Sequence, residues 1–182
     1  MKRFLTACAL SLVLAGGAAA ANFQAREKLP APALQARDLK GQPQTLAAYR
    51  GKVVLLNFWA SWCPPCLREM PSMERLKQKM AGRPLEIVAL NSAETAEEVN
   101  AYLSRMALTF PILLDPDGSN TRRWKVFALP TSLLLDAEGR IRYVLTGPIE
   151  WDEDEAVRVI ESLLSEVPAA AKPVESRRIT PR

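Results

Sequence analysis

An apolar run, KVVLLNFW at residues 52–59, is followed closely by the two cysteines of CPPC, Cys63 and Cys66. The length of the run and its branched and aromatic side chains are typical of a strand buried on both faces of a sheet. Beyond the cysteines, apolar residues recur at the spacing of a helix face, which predicts a helix that ends near Gly82 and Pro84. These apolar residues are Leu67, Met70, Met73, Leu76 and Met80. The two cysteines therefore lie where a buried strand gives way to a helix.

The rest of the chain alternates between predicted strands and helices. Strands are predicted at residues 33–39, 85–90, 110–114, 131–135 and 141–145. The first is followed by a turn at Gly41 and Pro43 and a return strand. One helix is predicted from the capping-box sequence at Thr95, and a last one from a cap and acidic turn at residues 152–155. This order predicts an α/β fold with a central mixed β-sheet flanked by helices on both faces.

Residues 1–21 have the layout of a secretory signal peptide, with Lys2 and Arg3, an apolar run and then small residues. An uncleaved membrane anchor is the alternative, although the apolar run is short for a membrane span. A lipoprotein site at Cys8 is a further alternative, but little apolar sequence precedes it. We therefore expect export to the periplasm, with anchoring to the inner membrane only if the segment is not cleaved.

The remaining chain is long enough for one globular domain. The full sequence is 48% hydrophobic, which is enough to bury a single core, and we predict one globular domain over residues 22–167. Residues 168–182 have little to bury and are predicted to form a disordered tail. The formal charge of +4 is concentrated at the two ends of the chain, so it does not favour nucleic-acid binding by the domain.

Several interpretations of the Cys63 and Cys66 pair can be weighed from the residues. A zinc site needs four ligands, and the chain has no histidine and no second cysteine pair, so no metal ligands are assigned. A purely structural disulfide would close a very short loop and stabilise the fold little. Two-coordinate copper(I) binding by the thiolates stays open. A redox pair is favoured, because the positive end of a helix dipole lowers the pKa of a thiol at the helix start.

Pro64 and Pro65 separate the two cysteines, and neither has a backbone N–H. The N–H groups of a first helical turn are the donors that stabilise a thiolate there. With two of them absent, the helix donors near Cys63 begin at Cys66. We therefore expect only a moderate lowering of the thiol pKa and a disulfide that is less oxidising than that of the strong oxidase DsbA.

Three motifs together resemble the thioredoxin superfamily. They are FWASWCPPC after a buried strand, Glu69 and Pro71 just beyond it, and Leu129-Pro130-Thr131 ahead of a strand and hairpin. More narrowly, the chain resembles the TlpA/ResA-like thiol-disulfide oxidoreductases of bacterial envelopes. The resemblance covers residues 29–164 and implies a thioredoxin-like three-layer fold.

The resemblance implies a role for each matching residue. Cys63 would be the attacking thiolate, and Cys66 the buried thiol that resolves the mixed disulfide. Pro130 would be a cis-proline that faces the pair and offers no N–H against Cys63. Trp62 and the neighbours of the proline, Leu129 and Thr131, would contact substrate, although Trp62 is equally consistent with simple packing.

Glu69 would handle protons for Cys66, a task given in ordinary thioredoxins to an aspartate where this chain has Asn57. Partial burial would raise the pKa of its carboxyl and suit it to proton transfer. The alternative is a solvated helix glutamate beside Arg68.

The function that the resemblance implies is reduction of disulfides in client proteins by an exported enzyme. The clients would be apocytochromes c or copper-delivery and oxidase-assembly proteins, and electrons would come from a membrane electron-transfer protein. No cofactor is expected beyond the redox-active disulfide. A disulfide oxidase or isomerase on the same fold and a copper(I)-binding module are the alternatives.

Overall fold

The computed structural model describes residues 23–168. The predicted signal peptide and all but the first residue of the predicted tail lie outside them. Eight strands are present: β1 Gln24–Pro30, β2 Ala36–Asp38, β3 Pro43–Gln44, β4 Val53–Trp59, β5 Leu85–Ser92, β6 Ile112–Asp115, β7 Thr131–Leu135 and β8 Arg140–Thr146. The helices are α1 Pro64–Lys79, α2 Ala96–Leu103, α3 Ser119–Arg123 and α4 Asp154–Ser165, with a 3-10 helix at Leu46–Tyr49.

All eight strands form one mixed sheet in the order β1-β8-β7-β4-β5-β6-β2-β3. Strands β4, β5 and β6 run parallel, whereas β7 and β8 form an antiparallel hairpin that pairs with the other side of β4. This arrangement confirms the predicted mixed sheet. Because β4 has a neighbour on each side, its backbone groups are paired within the sheet and its residues can be apolar throughout.

The core lies on both faces of the sheet, as side chains of β4 alternate between them. Val53 and Leu55 belong to the cluster with the buried faces of α1 and α4 and with Val99 of α2. Leu56 and Phe58 face the opposite cluster, which is closed by Tyr49 of the 3-10 helix and by Trp124 after α3. Helices therefore cover both faces, as predicted, although the second face is covered by short elements.

The helix starts agree only in part with the sequence. The capping box at Thr95 is present, with the hydroxyl and the Glu98 carboxylate satisfying each other's backbone N–H groups. The side-chain cap expected for α4 is wrong, since its N-cap Glu153 makes no capping bond. The nearby carboxylate of Asp152 instead accepts from Arg75 Nε at 2.7 Å. The acidic first turn of α4 is confirmed, with Asp154 and Glu155 in place.

Some elements were not predicted from the sequence. Strand β1, QAREKLP, pairs antiparallel with β8 at the sheet edge. Its side chains are mostly exposed, so it lacks the alternation of apolar and polar residues that identifies a half-buried strand. Helix α3 spans only five residues, which is too short for a periodic pattern.

None of the helices between residues 23 and 168 combines the length and the apolar character that crossing a bilayer requires.

Candidate active site

Cys63 and Cys66 form a disulfide at the end of β4 where α1 begins, with their Cα atoms 5.3 Å apart. Cys63 is the N-cap of α1, and the two prolines occupy the first helical positions. The backbone N–H of Cys66 donates to Cys63 Sγ at 3.4 Å. The first backbone N–H of α1 that reaches Cys63 Sγ is thus that of Cys66, as the sequence predicts. The moderate lowering of the Cys63 thiol pKa stays a prediction.

The two cysteine residues differ in exposure. Cys66 is fully buried, whereas Cys63 retains 4% exposure and lies in the wall of a surface groove. Of the two cysteines, Cys63 is therefore the one that reaches the surface.

Glu69 lies one helical turn after Cys66 on α1 and is 1% exposed. Its Oε1 accepts from Asn57 Nδ2 at 2.7 Å, and its Oε2 accepts from the Ile149 backbone N–H and from Trp151 Nε1, each at 3.4 Å. Residues three apart on a helix share a face, so the carboxyl and the Cys66 thiol lie on the same buried side of α1. The alternative of a solvated helix glutamate is wrong.

Burial raises the pKa of Glu69 to about 7. The Asn57, Ile149 and Trp151 donors oppose this rise because they stabilise the ionised form, and the nearby charge of Glu150 adds to it. A carboxyl group with such a pKa takes up and releases a proton near neutral pH.

Asn57 connects this carboxyl to the centre of the sheet. It lies in β4, and its amide nitrogen also donates to Ser132 Oγ of β7 at 2.9 Å. Its Oδ1 is buried and has no hydrogen-bond partner. The contact between Asn57 and Glu69 was not predicted from the sequence.

The segment ahead of β7 contributes to the same groove as Cys63. The Leu129-Pro130 peptide bond is cis, as the resemblance implies, and Leu129 lines the groove beside Cys63. Thr131 is 6% exposed, and its hydroxyl donates to the Ala128 carbonyl oxygen at 2.8 Å. The substrate-contact roles of Leu129 and Thr131 stay predictions, and only Leu129 lines the groove.

We call the surface depression beside Cys63 the Trp62–Phe127 groove, after the two aromatic residues in its lining. It has a volume of about 580 Å³ and is also lined by Cys63, Pro64, Ser92 and Leu129. Trp62 is 66% exposed and Phe127 is 92% exposed. Trp62 was predicted as a substrate contact, whereas Phe127 was not. The signal available in the sequence was its position three residues before Pro130.

A second buried carboxylate holds the loop that leads to the disulfide. Glu94, 6% exposed, accepts from the Ser61 backbone N–H at 2.6 Å, from the Ser61 hydroxyl and from Asn91 Nδ2 at 2.7 Å. All of these partners donate hydrogen bonds to the Glu94 carboxylate. A metal site is not an alternative role for it, because residues 23–168 hold no group of three or more His, Cys, Asp or Glu side chains suited to a metal ion. Glu94 therefore fixes the turn before Cys63.

Comparison with known proteins identifies related sequences and structures. A family model described as Redoxin matches residues 24–160. The thiol-disulfide oxidoreductase ResA of Geobacillus kaustophilus (strain HTA426) is 39% identical over 133 residues, covering 73% of this chain and 75% of that protein. A thiol:disulfide interchange protein of the thioredoxin family from Chlorobium tepidum TLS is 26% identical with a TM-score of 0.66, covering 76% of this chain and 98% of that one. The pneumococcal exposed lipoprotein thioredoxin from Streptococcus pneumoniae strain TIGR4 is 26% identical with a TM-score of 0.63, covering 72% and 99%. These likenesses confirm the thioredoxin-like fold.

Replacing Glu69 by glutamine is expected to remove a pH dependence of stability. The ordinary pKa of the carboxyl is 4.5 and burial raises it to about 7 in the fold. The stability that Glu69 contributes is thus fully present below about pH 4.5 and is lost as the pH rises through about 7, by on the order of 3 kcal/mol. Urea unfolding of the oxidised protein across this range measures the loss. Equal pH dependence in wild type and Glu69→Gln would contradict the burial argument.

Replacing Asn57 by alanine is expected to raise the pKa of Glu69 above about 7, because the variant loses the donor nearest to the ionised carboxylate. Titration of the Glu69 side-chain carbon by NMR measures this pKa, with Glu69→Gln identifying the signal. Ser132→Ala is the matched control, since Ser132 contacts the same amide without touching the carboxylate. An unchanged pKa in Asn57→Ala would show that this hydrogen bond does not set it.

Proposed function

Because the chain belongs to the Redoxin family and is a TlpA/ResA-like thiol-disulfide oxidoreductase, we propose that it reduces disulfides in partner proteins outside the cytoplasm. The observation that carries the direction of electron flow is the CPPC helix start. Pro64 and Pro65 supply no N–H to Cys63 Sγ, and the nearest helix donor is Cys66 at 3.4 Å. Weak stabilisation of the Cys63 thiolate makes the reduced protein a stronger electron donor than DsbA, whose reduced form is well stabilised.

The first step is attack by the Cys63 thiolate on a client disulfide. A new bond forms between Cys63 Sγ and one client sulfur while the client disulfide breaks, and the second client sulfur leaves as a thiolate that takes a proton. The groove position of Cys63 and the burial of Cys66 support this assignment of the two roles.

The second step regenerates the disulfide described above. Cys66 gives up its proton and attacks Cys63 Sγ, which releases the first client sulfur as a thiol. Two electrons have then passed to the client, and the enzyme pair is oxidised. Glu69, on the same face of α1 and with a pKa of about 7, is the base for the Cys66 proton.

Trp62 and the Leu129-Pro130 segment flank the path to Cys63. Pro130 has no N–H, so this segment offers no backbone donor against the sulfur at that position. Leu129 and Trp62 line the groove, which supports a contact with the bound client. Thr131 contributes by holding the turn through its bond to Ala128.

The location and partners follow from the same proposal. Residues 1–21 have the layout of an export signal, and one structural relative is an exposed lipoprotein. Sustained reduction outside the cytoplasm requires a supply of electrons, and the proposed source is a membrane electron-transfer protein. Apocytochromes c and copper-delivery or oxidase-assembly proteins are the proposed clients.

The reduction potential of the Cys63 and Cys66 pair tests the direction of electron flow. Equilibration of residues 22–182 with dithiothreitol or glutathione buffers, followed by thiol quantification, measures it. We expect a value near or below thioredoxin's, about −270 mV, because the thiolate has few donors. A value near that of DsbA, about −120 mV, would identify an oxidant and reverse the proposal.

Glu69→Gln is expected to slow the second step at least about tenfold at pH 7, since a positioned proton acceptor typically contributes 10²–10⁴-fold. The wild-type rate should rise with pH through about 7, and the variant should lose this rise. Stopped-flow kinetics of mixed-disulfide resolution give both rates. Glu97→Gln, at an exposed position of α2, is the matched control and should behave as wild type. Equal rates in wild type and Glu69→Gln would exclude the proton-transfer role.

A further inference from the structure

Large exposed apolar side chains are concentrated at one place on the described surface. Among residues 23–168, Leu29, Trp62 and Phe127 are the large hydrophobic residues that remain exposed. Two of the three lie in the wall of the Trp62–Phe127 groove, together with Cys63. A cluster of exposed aromatic area beside a reactive group is typical of a binding surface.

The backbone holds Phe127 outward. Trp124 and Val126 are buried in the core, and the residues that alternate with them, Lys125 and Phe127, are exposed. Lys125 has a left-handed backbone with φ of 55°, and the Val126 N–H donates to the Thr121 carbonyl oxygen at 3.0 Å. A non-glycine residue in this conformation is unfavourable and persists where its surroundings enforce it. The backbone conformation of this turn therefore keeps the Phe127 side chain exposed.

The lining of the groove is uncharged. Pro64, Val126 and Leu129 contribute apolar surface, and none of the described residues that line the groove is acidic or basic. Two hydroxyl groups of the lining are already paired, with Ser92 Oγ and Thr121 Oγ1 2.9 Å apart. Thr121 Oγ1 also donates to buried Asp115 Oδ2 at 2.7 Å. A charged side chain placed here would lose its water without gaining a partner of opposite charge.

We propose that the Trp62–Phe127 groove binds an extended, uncharged segment of the client that carries an aromatic or large apolar side chain next to its cysteine. Phe127 selects this side chain, while the client sulfur meets Cys63 in the same groove. The inference rests on the proposed function and adds the class of sequence that the enzyme prefers. The occupant is a client segment because Cys63 lies in the wall, and a client sulfur has to enter the groove to react.

Synthetic peptides test this selection. Each peptide carries one cysteine, joined to thionitrobenzoate as a mixed disulfide, and differs only in having Phe or Asp beside it. Attack by the Cys63 thiolate on the peptide sulfur forms the protein–peptide disulfide and releases coloured thionitrobenzoate, so the second-order rate is read directly. We expect the wild type to prefer the Phe peptide about tenfold, a difference of about 1.4 kcal/mol.

Phe127→Ala should lower the ratio of the two rates severalfold, leaving the smaller preference that the uncharged lining gives against Asp, and Phe127→Leu should retain more of the wild-type ratio. Leu29→Ala removes the exposed apolar side chain of β1, outside the groove, and should keep the wild-type ratio. Wild-type protein that reacts with both peptides at equal rates, or a ratio unaffected by Phe127→Ala, would overturn the inference.

The failure of the proposed function has a different signature. If reduced wild-type protein reacts neither with the peptides nor with a small aromatic disulfide, it lacks the thiol chemistry on which the proposed function depends.

A second copy of this chain is the rival occupant of the groove. Sedimentation of wild type and Phe127→Ala would reveal it as a dimer that depends on Phe127, and that result would also overturn the inference.

Discussion

The arrangement of this site depends on the burial of one carboxyl group, that of Glu69. Glu69 is enclosed by donors from separate parts of the chain: the Asn57 amide from the central strand, and the Ile149 N–H and Trp151 indole from the segment after β8. Removing a carboxylate from water is costly, and these donors offset part of the cost without cancelling it. As a result, small changes in its surroundings decide whether the Glu69 carboxyl group is neutral or ionised. It lies on the same face of α1 as Cys66, whose thiol loses a proton when the disulfide forms.

The sheet brings the parts together because parallel strands end at a common edge. β4 leads into Cys63, and its neighbour β5 is followed by Glu94, whose carboxylate holds Ser61. On the other side, β7 begins directly after the cis Leu129-Pro130 bond. Disulfide, supporting carboxylate and proline thus come from segments distant in sequence, and the redox pair is held by the most buried elements of the fold.

The sequence allowed prediction of those features whose cause is local. The apolar run of β4, the spacing of Met70 and Met73 on α1, the capping box at Thr95 and the hairpin of β7 and β8 all follow from neighbouring residues, and all are present. The cysteine pair and Glu69 were identified by their motif. The charged edge strand β1 was missed because its order depends on pairing with β8. The contacts of Asn57 with Glu69 and of Glu94 with Ser61 join residues on different elements, which no local pattern specifies.

Electron affinity and proton affinity are set by different stretches of this chain. The first depends on the two residues between the cysteines, which determine how many backbone N–H groups reach Cys63 Sγ. The second depends on Asn57 in the central strand and on the segment after β8, which determine the surroundings of Glu69. Under the proposed function, we therefore expect substitution at Pro64 or Pro65 to change the reduction potential of the cysteine pair without changing the surroundings of Glu69, and substitution at Asn57 to do the reverse. Under that proposal, the strength of the reductant and the pH range in which it works could change independently of each other.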